Sequence, residues 1–282
     1  MTPNTIEELR HASYQVSQAI APGWERWRAF LEEALAPVRE WMIRELGPQP
    51  GDTLLELAAG AGDTGFQAAA ITGQADHLIS TDLSPAMLEV ARRRGAELGL
   101  GDVDFQLIDA ERAELDTDSV DGVLCRFGYM LMADPAAALS ESRRVLRPGG
   151  RLVLAVWGIP ERNPFFAAIA AILARRGHLP PPGPGALSPF SMASPDRTRE
   201  LLAAAGFCVV SMDEIAVRFF FRDIEQYLTF VADTAGPAAL ALRGLSQQER
   251  EEVKAQLKDA FGTFVTQRGY ELPGSALATA AS

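Results

Sequence analysis

Chemistry is densest in Leu54-Leu55-Glu56-Leu57-Ala58-Ala59-Gly60-Ala61-Gly62-Asp63-Thr64-Gly65, where an apolar strand runs into a small-residue turn and then a helix. Small residues at such a turn let a ligand touch the backbone. Gly60-x-Gly62-x-x-Gly65 satisfies the dinucleotide fingerprint, and the helix N-terminus behind it is able to receive a pyrophosphate. Glu56 argues for a different ligand. A carboxylate at the strand end, four residues before Gly60, suits an amine or a sulfonium and repels a diphosphate. Asp82 closes the next strand, where its two oxygens can accept hydrogen bonds from both hydroxyls of a ribose, a role common to nucleoside sites of either kind. Asp109-Ala110 closes the third, with a carboxylate and a backbone N–H placed to read an adenine edge.

These residues need a sheet whose carboxyl ends open on one side. From Gly51 to Trp157, short apolar runs alternate with helical periods, the pattern of an α/β doubly wound parallel sheet. Strands are expected over Thr53 to Leu57, His77 to Thr81, Val103 to Ile108, Val120 to Cys125 and Leu152 to Val156, each apolar enough to be covered on both faces. Ser84-Pro85 and Asp134-Pro135 open helices with an N-cap and an N1 proline. Arg147-Pro148-Gly149-Gly150 turns the chain into the fifth strand. Tyr14 to Leu46 reads as helices with an apolar stripe that includes Trp24, Trp27 and Trp41. After the core, Asn163 to Arg176 reads as a helix, Pro180 to Pro189 as an irregular loop, and Pro195 to Ala205 as a helix closed by Gly206. A long strand follows over Cys208 to Phe221, then a helical stretch over Ile224 to Thr266 broken near Gly236-Pro237. A short strand over Ser275 to Ala281 comes last. Phe219-Phe220-Phe221 reads as core, with at most two of the three rings on one face.

Composition narrows the classes of function. The chain has 282 residues, 48% of them apolar, and a formal charge of −11; it has core enough to fold, and its acidity excludes a partner bound chiefly through phosphates, so no nucleic acid is expected. Cys125 and Cys208 lie in apolar runs and read as buried thiols, which suits a cytoplasmic location and a site without metal. Met1 to Arg10 carries Glu7, Glu8 and no apolar stretch, and no run approaches ~18 apolar residues, so neither a leader nor a membrane anchor is expected. His11, His77 and His178 are isolated, and His77 opens a strand; none stands out as a general base.

Four ordered stretches together resemble the successive motifs of class I S-adenosylmethionine-dependent methyltransferases: Glu56 to Gly65, Asp82-Leu83-Ser84-Pro85-Ala86-Met87-Leu88, Asp109-Ala110, and Arg144-Val145-Leu146-Arg147-Pro148-Gly149-Gly150. The Ala-Ala-Gly form of the first, with Arg126-Phe127-Gly128 after the fourth strand, is most similar to the branch containing the quinone-biosynthesis C-methyltransferases. The resemblance implies a Rossmann-like seven-stranded sheet, mostly parallel with an antiparallel last strand, under a helical cap. It divides the chain into an N-terminal lid (1–50), a cofactor-binding core (51–158), a first insert (159–195), a core helix and sixth strand (196–221), a second helical insert (222–270) and a final strand (271–282).

By the same resemblance, Glu56, Ala58, Gly60 and Gly62 line the methionine end of the cofactor, Asp82 binds the ribose, Leu83 and Met87 flank the adenine, and Asp109 and Ala110 read its edge. Arg126 faces cofactor or substrate. Ala58 departs from the pattern, standing where many members have the first glycine. Tyr14, Trp24 and Trp27 in the lid, with Phe127, Tyr129 and Trp157 at the carboxyl ends of strands four and five, are candidates for the acceptor pocket. The implied partner is a small, hydrophobic or aromatic acceptor methylated at carbon, oxygen or nitrogen, by a monomer or a homodimer. Two other readings stay open: an S-adenosylmethionine-binding protein that transfers nothing, and an NAD-dependent oxidoreductase, against which stands the lack of a Tyr-x-x-x-Lys hydride-transfer pair.

Overall fold

The computed structural model describes residues 5–72, 77–100, 103–180 and 188–282; most of the proline-rich loop expected at 180–189 lies outside them. The chain opens with α1 (Ile6–Arg26) and α2 (Arg28–Leu46). α1 begins eight residues earlier than the tryptophan stripe implied, because Thr5 and Glu8 form a reciprocal capping box. The core then alternates β1 (Leu54–Glu56), α3 (Asp63–Thr72), β2 (Leu78–Asp82), α4 (Pro85–Glu97), β3 (Asp104–Leu107), β4 (Val120–Arg126), α5 (Pro135–Val145) and β5 (Leu146–Trp157). Ser84 and Asp134 cap α4 and α5 with their side chains, each followed by proline.

The remainder adds α6 (Pro164–Arg175), α7 (Pro195–Ala204), β6 (Val209–Phe221), α8 (Ile224–Thr234), α9 (Gly236–Arg243), α10 (Gln247–Ala260), β7 (Val265–Thr266) and β8 (Gly269–Ala281). The strands lie in the order β3-β2-β1-β4-β5-β8-β6. β1 to β5 pair in parallel, and β8 runs antiparallel to both β5 and β6. Among the described residues the strand count rises to eight through β7, a two-residue strand that pairs back on β8 around Gln267 and Arg268. Strand order reverses between β1 and β4, and in an open α/β sheet that crevice, outside the carboxyl ends, is where ligands bind.

Two expectations from the sequence are corrected. β3 is an edge strand, not a strand covered on both faces: none of its residues is buried and Leu107 is 59% exposed. Cys208 is exposed rather than a buried thiol; its backbone exchanges hydrogen bonds with Ser282 at the end of the sheet, and its side chain falls outside the core. The triple phenylalanine follows strand alternation. Phe219 and Phe221 are buried against Phe30 and Phe230, whereas Phe220 faces the other way under the Arg268 guanidinium.

Candidate cofactor site

The loop after β1 is held in a conformation that side chains resist. Ala58, Gly60 and Gly62 have φ of 51°, 57° and 81°. A Cβ on Gly65 would fall 2.4 Å from Glu56 Oε2, so only glycine lets α3 start this close to β1. Gly65 N donates to Glu56 Oε1 at 2.8 Å. The other oxygen, Oε2, is buried with no hydrogen-bond partner among the described residues. Burial pushes the Glu56 carboxyl up to about 8, against the opposing pull of the Gly65 hydrogen bond and the Arg126 charge.

Asp82 ties the ends of β1 and β2 together. Its Oδ2 accepts from Gly60 N at 3.0 Å and its Oδ1 from Ser84 N at 2.9 Å. Burial raises its pKa, and those backbone donors oppose the rise. Thr81 Oγ1 donates to Glu56 O and Ala59 N to Thr81 O, both at 2.8 Å, which fixes the two strand ends in register. Leu83 is half-buried beside Asp82, and Met87 is buried with Ile20, Ala21 and Ala61. Asp109 Oδ1 accepts from Glu111 N at 3.0 Å, and half-buried Ala110 starts the short turn that follows.

At the end of β4, Arg126 Nη1 is buried and without a hydrogen-bond partner among the described residues. Burial lowers the pKa of its guanidinium, while Asp63 and Glu56 hold it charged. Asp63, in the first turn of α3, hydrogen-bonds the Glu32 side chain from α2, and burial followed by that contact raises it to about 7. Trp24, Arg28, Leu31, Ala61, Asp63 and Arg126 surround a space of ≈ 10 Å³. The structure therefore joins the loop after β1 to Asp82 through Gly60 and brings Arg126 within electrostatic reach of Glu56.

Of the aromatic candidates, Trp27, Phe127 and Trp157 are joined through Phe30 and Phe219 in one run of packed rings. Trp24 faces Gly60, and its indole N–H donates to Thr234 O at 3.3 Å. Trp27 bonds Asp233 and packs against Phe30 and Phe230. Phe127 stacks on Trp157 with ring centroids 4.1 Å apart, and both are buried. Tyr129 is fully buried, its hydroxyl 2.6 Å from Ser142 Oγ. Tyr14 OH accepts from Gln18 Nε2 at 3.4 Å. Sequence reasoning passed over Gln18, Arg10, Glu32 and Asp63 as contributors to this region. The signal for Arg10 and Gln18 was the capping box at Thr5–Glu8, which places both on the helix ahead of Trp24.

A methyltransferase-domain family matches residues 57–154, the stretch that spans the Gly60 loop, Asp82, Asp109 and Arg126. Residues 57–154 thus match a methyltransferase domain. The domain's sequence is similar to the demethylmenaquinone methyltransferase of Clavibacter sepedonicus, 38% identical over 156 residues, which cover 55% of this chain and 57% of that one. The chain spans about half the length of the curated relatives it matches. Among solved structures, a Bacillus halodurans protein assigned as a methyltransferase superposes with a TM-score of 0.61 at 20% identity, over 86% of this chain and 97% of that one. The geranyl diphosphate C-methyltransferase of Streptomyces coelicolor, solved with S-adenosylhomocysteine, gives 0.52 at 19% identity, over 88% and 77%. These likenesses show the fold, and the family match runs from Leu57, just after β1, to Leu154 within β5.

Proposed function

We propose that this protein transfers a methyl group from S-adenosylmethionine to a small apolar or aromatic acceptor. The observation that carries the reading is two buried atoms of opposite character near the end of β1 that lack hydrogen bonds among the described residues, Glu56 Oε2 and Arg126 Nη1. An α-amino acid end brings an ammonium for the first and a carboxylate for the second, whereas a diphosphate leaves Glu56 facing like charge. Asp82 fits the same ligand. Both its oxygens are oriented by backbone amides and retain lone pairs for ribose hydroxyls. Asp109 and Ala110, Leu83 and Met87 then meet the adenine, and Ala58, Gly60 and Gly62 the methionine end.

The cofactor supplies an electrophilic methyl that an acceptor atom displaces in line from sulfur. What the chain contributes is placement. Holding two reactants in attack geometry is worth on the order of 7–11 kcal/mol, and a general base is needed only where the acceptor loses a proton. The helices before β1, the segment around α6 and the helices α8 to α10 serve as the cap that excludes water from the reacting groups. Their aromatic side chains, with Phe127 and Trp157 below them, favour a planar apolar acceptor. The demethylmenaquinone methyltransferase relatives support a quinone-type compound within that class. NAD-dependent redox chemistry loses its main support, since the glycine pattern that suggested it belongs to the matched methyltransferase domain.

Calorimetric titration with S-adenosylmethionine, S-adenosylhomocysteine and NAD tests the cofactor, with Asp82→Ala as control. Micromolar binding of the first two, lost in the variant, is expected; binding of NAD alone sinks the reading. A screen of quinones, phenols and lipophilic amines with methyl-labelled cofactor then tests the acceptor, and label passing only to polar metabolites would exclude the apolar class.

A further inference from the structure

α1 crosses the carboxyl ends of three neighbouring strands in the order in which the sheet presents them. Beyond β3, Arg10 Nε lies 2.9 Å from Asp109 Oδ2. Beyond β2, Gln18 Oε1 accepts from Ser84 Oγ at 2.5 Å and from Ala86 N at 2.9 Å. Beyond β1, Trp24 Cε3 lies 4.0 Å from the position of a Cβ on Gly60. Arg10, Tyr14 and Gln18 recur every four residues, so one face of the helix delivers the polar contacts.

α1 therefore lies over the ends of all three strands. The space beside Asp63 and Arg126 is ≈ 10 Å³, about the volume of one water, whereas sites for ligands of nucleoside size take several hundred Å³. A ligand that touches Gly60, Asp82 and Asp109 together has to move α1 aside. The contact at Asp109 is the selective one. Its Oδ1 is engaged by Glu111 N, which leaves Oδ2, and the Arg10 guanidinium sits against Oδ2 as an ion pair without hydrogen-bond alignment. The guanidinium is anchored as well by Glu111 Oε2 at 2.5 Å, and Glu111 Oε1 is itself fixed by the amides of Ala133 and Asp134. One oxygen therefore has two claimants, the Arg10 guanidinium and an adenine amino group.

Resting on the cofactor reading above, we infer that α1 is the gate of the cofactor site and Arg10 its latch, competing with the adenine amino group for Asp109. Apparent affinity is the intrinsic affinity multiplied by the fraction of molecules open, so a residue that holds the gate shut weakens binding. Removing a side chain that merely supports the fold does the opposite or nothing. Arg10 thus sets cofactor affinity and exchange rate without belonging to the bound complex at Asp109.

The test compares wild type, Arg10→Gln and Asp82→Ala in calorimetric titrations with S-adenosylhomocysteine, and follows association by tryptophan emission in stopped flow. Arg10→Gln is expected to bind about fivefold tighter, the worth of one partly exposed ion pair, and to associate faster. Unchanged or weaker binding by Arg10→Gln, with wild-type binding abolished by Asp82→Ala, overturns the latch and leaves the cofactor reading standing. Failure of both wild type and Arg10→Gln to bind overturns the two together. Hydrogen exchange on the wild type gives an answer that depends on no variant. Saturating S-adenosylhomocysteine is expected to speed amide exchange in the first turns of α1, and slower exchange there overturns the inference.

Discussion

Ala58 and Phe127, one just beyond β1 and the other just beyond β4, share a left-handed backbone, with φ of 51° and 61°. Neither is glycine, so each costs roughly 1–2 kcal/mol relative to an ordinary conformation. The two turns also lock together: a Cβ on Gly128 would lie 2.7 Å from the Ala58 Cβ. Strain of this kind persists where the surroundings over-determine the backbone, and here it sits at the strand-order reversal that forms the crevice. Ala58→Gly is expected to raise the melting temperature, because relief of strain, about 1 kcal/mol or more, outweighs glycine's added chain entropy. Thermal unfolding checks it, and a lower melting point refutes the strain argument.

Gly65→Ala works in the opposite direction. Its methyl would fall 2.4 Å from Glu56 Oε2 and 2.8 Å from Cδ, so either the carboxylate or the start of α3 has to shift. A loss of about 1–3 kcal/mol in stability is expected, with S-adenosylhomocysteine binding weakened more than about tenfold. Calorimetry alongside a melting curve reports both; normal binding would mean that Glu56 does not need its present position.

Protonation of Glu56 sets a pH dependence whose sign can be worked out. Burial raises this carboxyl from 4.5 to about 8, so between those values the folded chain holds a proton that the unfolded chain has released. The unfolded state then binds fewer protons, and stability falls as pH climbs through that window. Asp63, raised to about 7, adds to the same slope. Glu56→Gln is expected to flatten the fall in melting temperature across this range. A cationic ligand favours ionised Glu56, so S-adenosylmethionine is expected to bind more tightly toward the upper end of the window and to release protons. Calorimetry in buffers of different ionisation heat measures that release, and proton uptake would contradict it.

Tyr129 offers a control. Its buried hydroxyl pairs with Ser142 Oγ, which also lies 2.7 Å from Ala138 O. Tyr129→Phe is expected to lower stability by about 1 kcal/mol and to leave KM for the acceptor unchanged. A shift in KM would put Tyr129 in contact with the acceptor after all.

The sequence revealed the parts of the fold whose signals are local. Strand-turn-helix at Glu56 to Gly65 and the proline-backed caps at Ser84 and Asp134 declare themselves within a few residues. β3 misled because alternating Val103, Phe105 and Leu107 read alike on an edge or in the middle of a sheet; neighbours decide, and these are distant in sequence. Cys208 misled for the same reason. β8 extends well before Ser275, through Pro273 and Gly274, because β6 pairs with it from Tyr270 onward, whereas β5 reaches only to Ala276. In the crevice, the glycines and carboxylates were legible from spacing. Arg10 meeting Glu111, 101 residues away, and Gln18 meeting Ser84, 66 away, were not, because no periodicity encodes which loop a helix will cross.

The position of β8 bears on how the molecule assembles. Among the described residues β6 joins the sheet only through β8, yet β6 and the helices α8 to α10 all precede β8 along the chain. During synthesis, Phe219 and Phe221 leave the ribosome with no strand to pair against, and remain so until residues 269–281 follow and insert between β5 and β6. Such long-range closure is slow and leaves apolar surface uncovered meanwhile. The aromatic layer under the cap is therefore the last part of the core to be sealed, and the segment on which escape from aggregation turns is the strand that seals it.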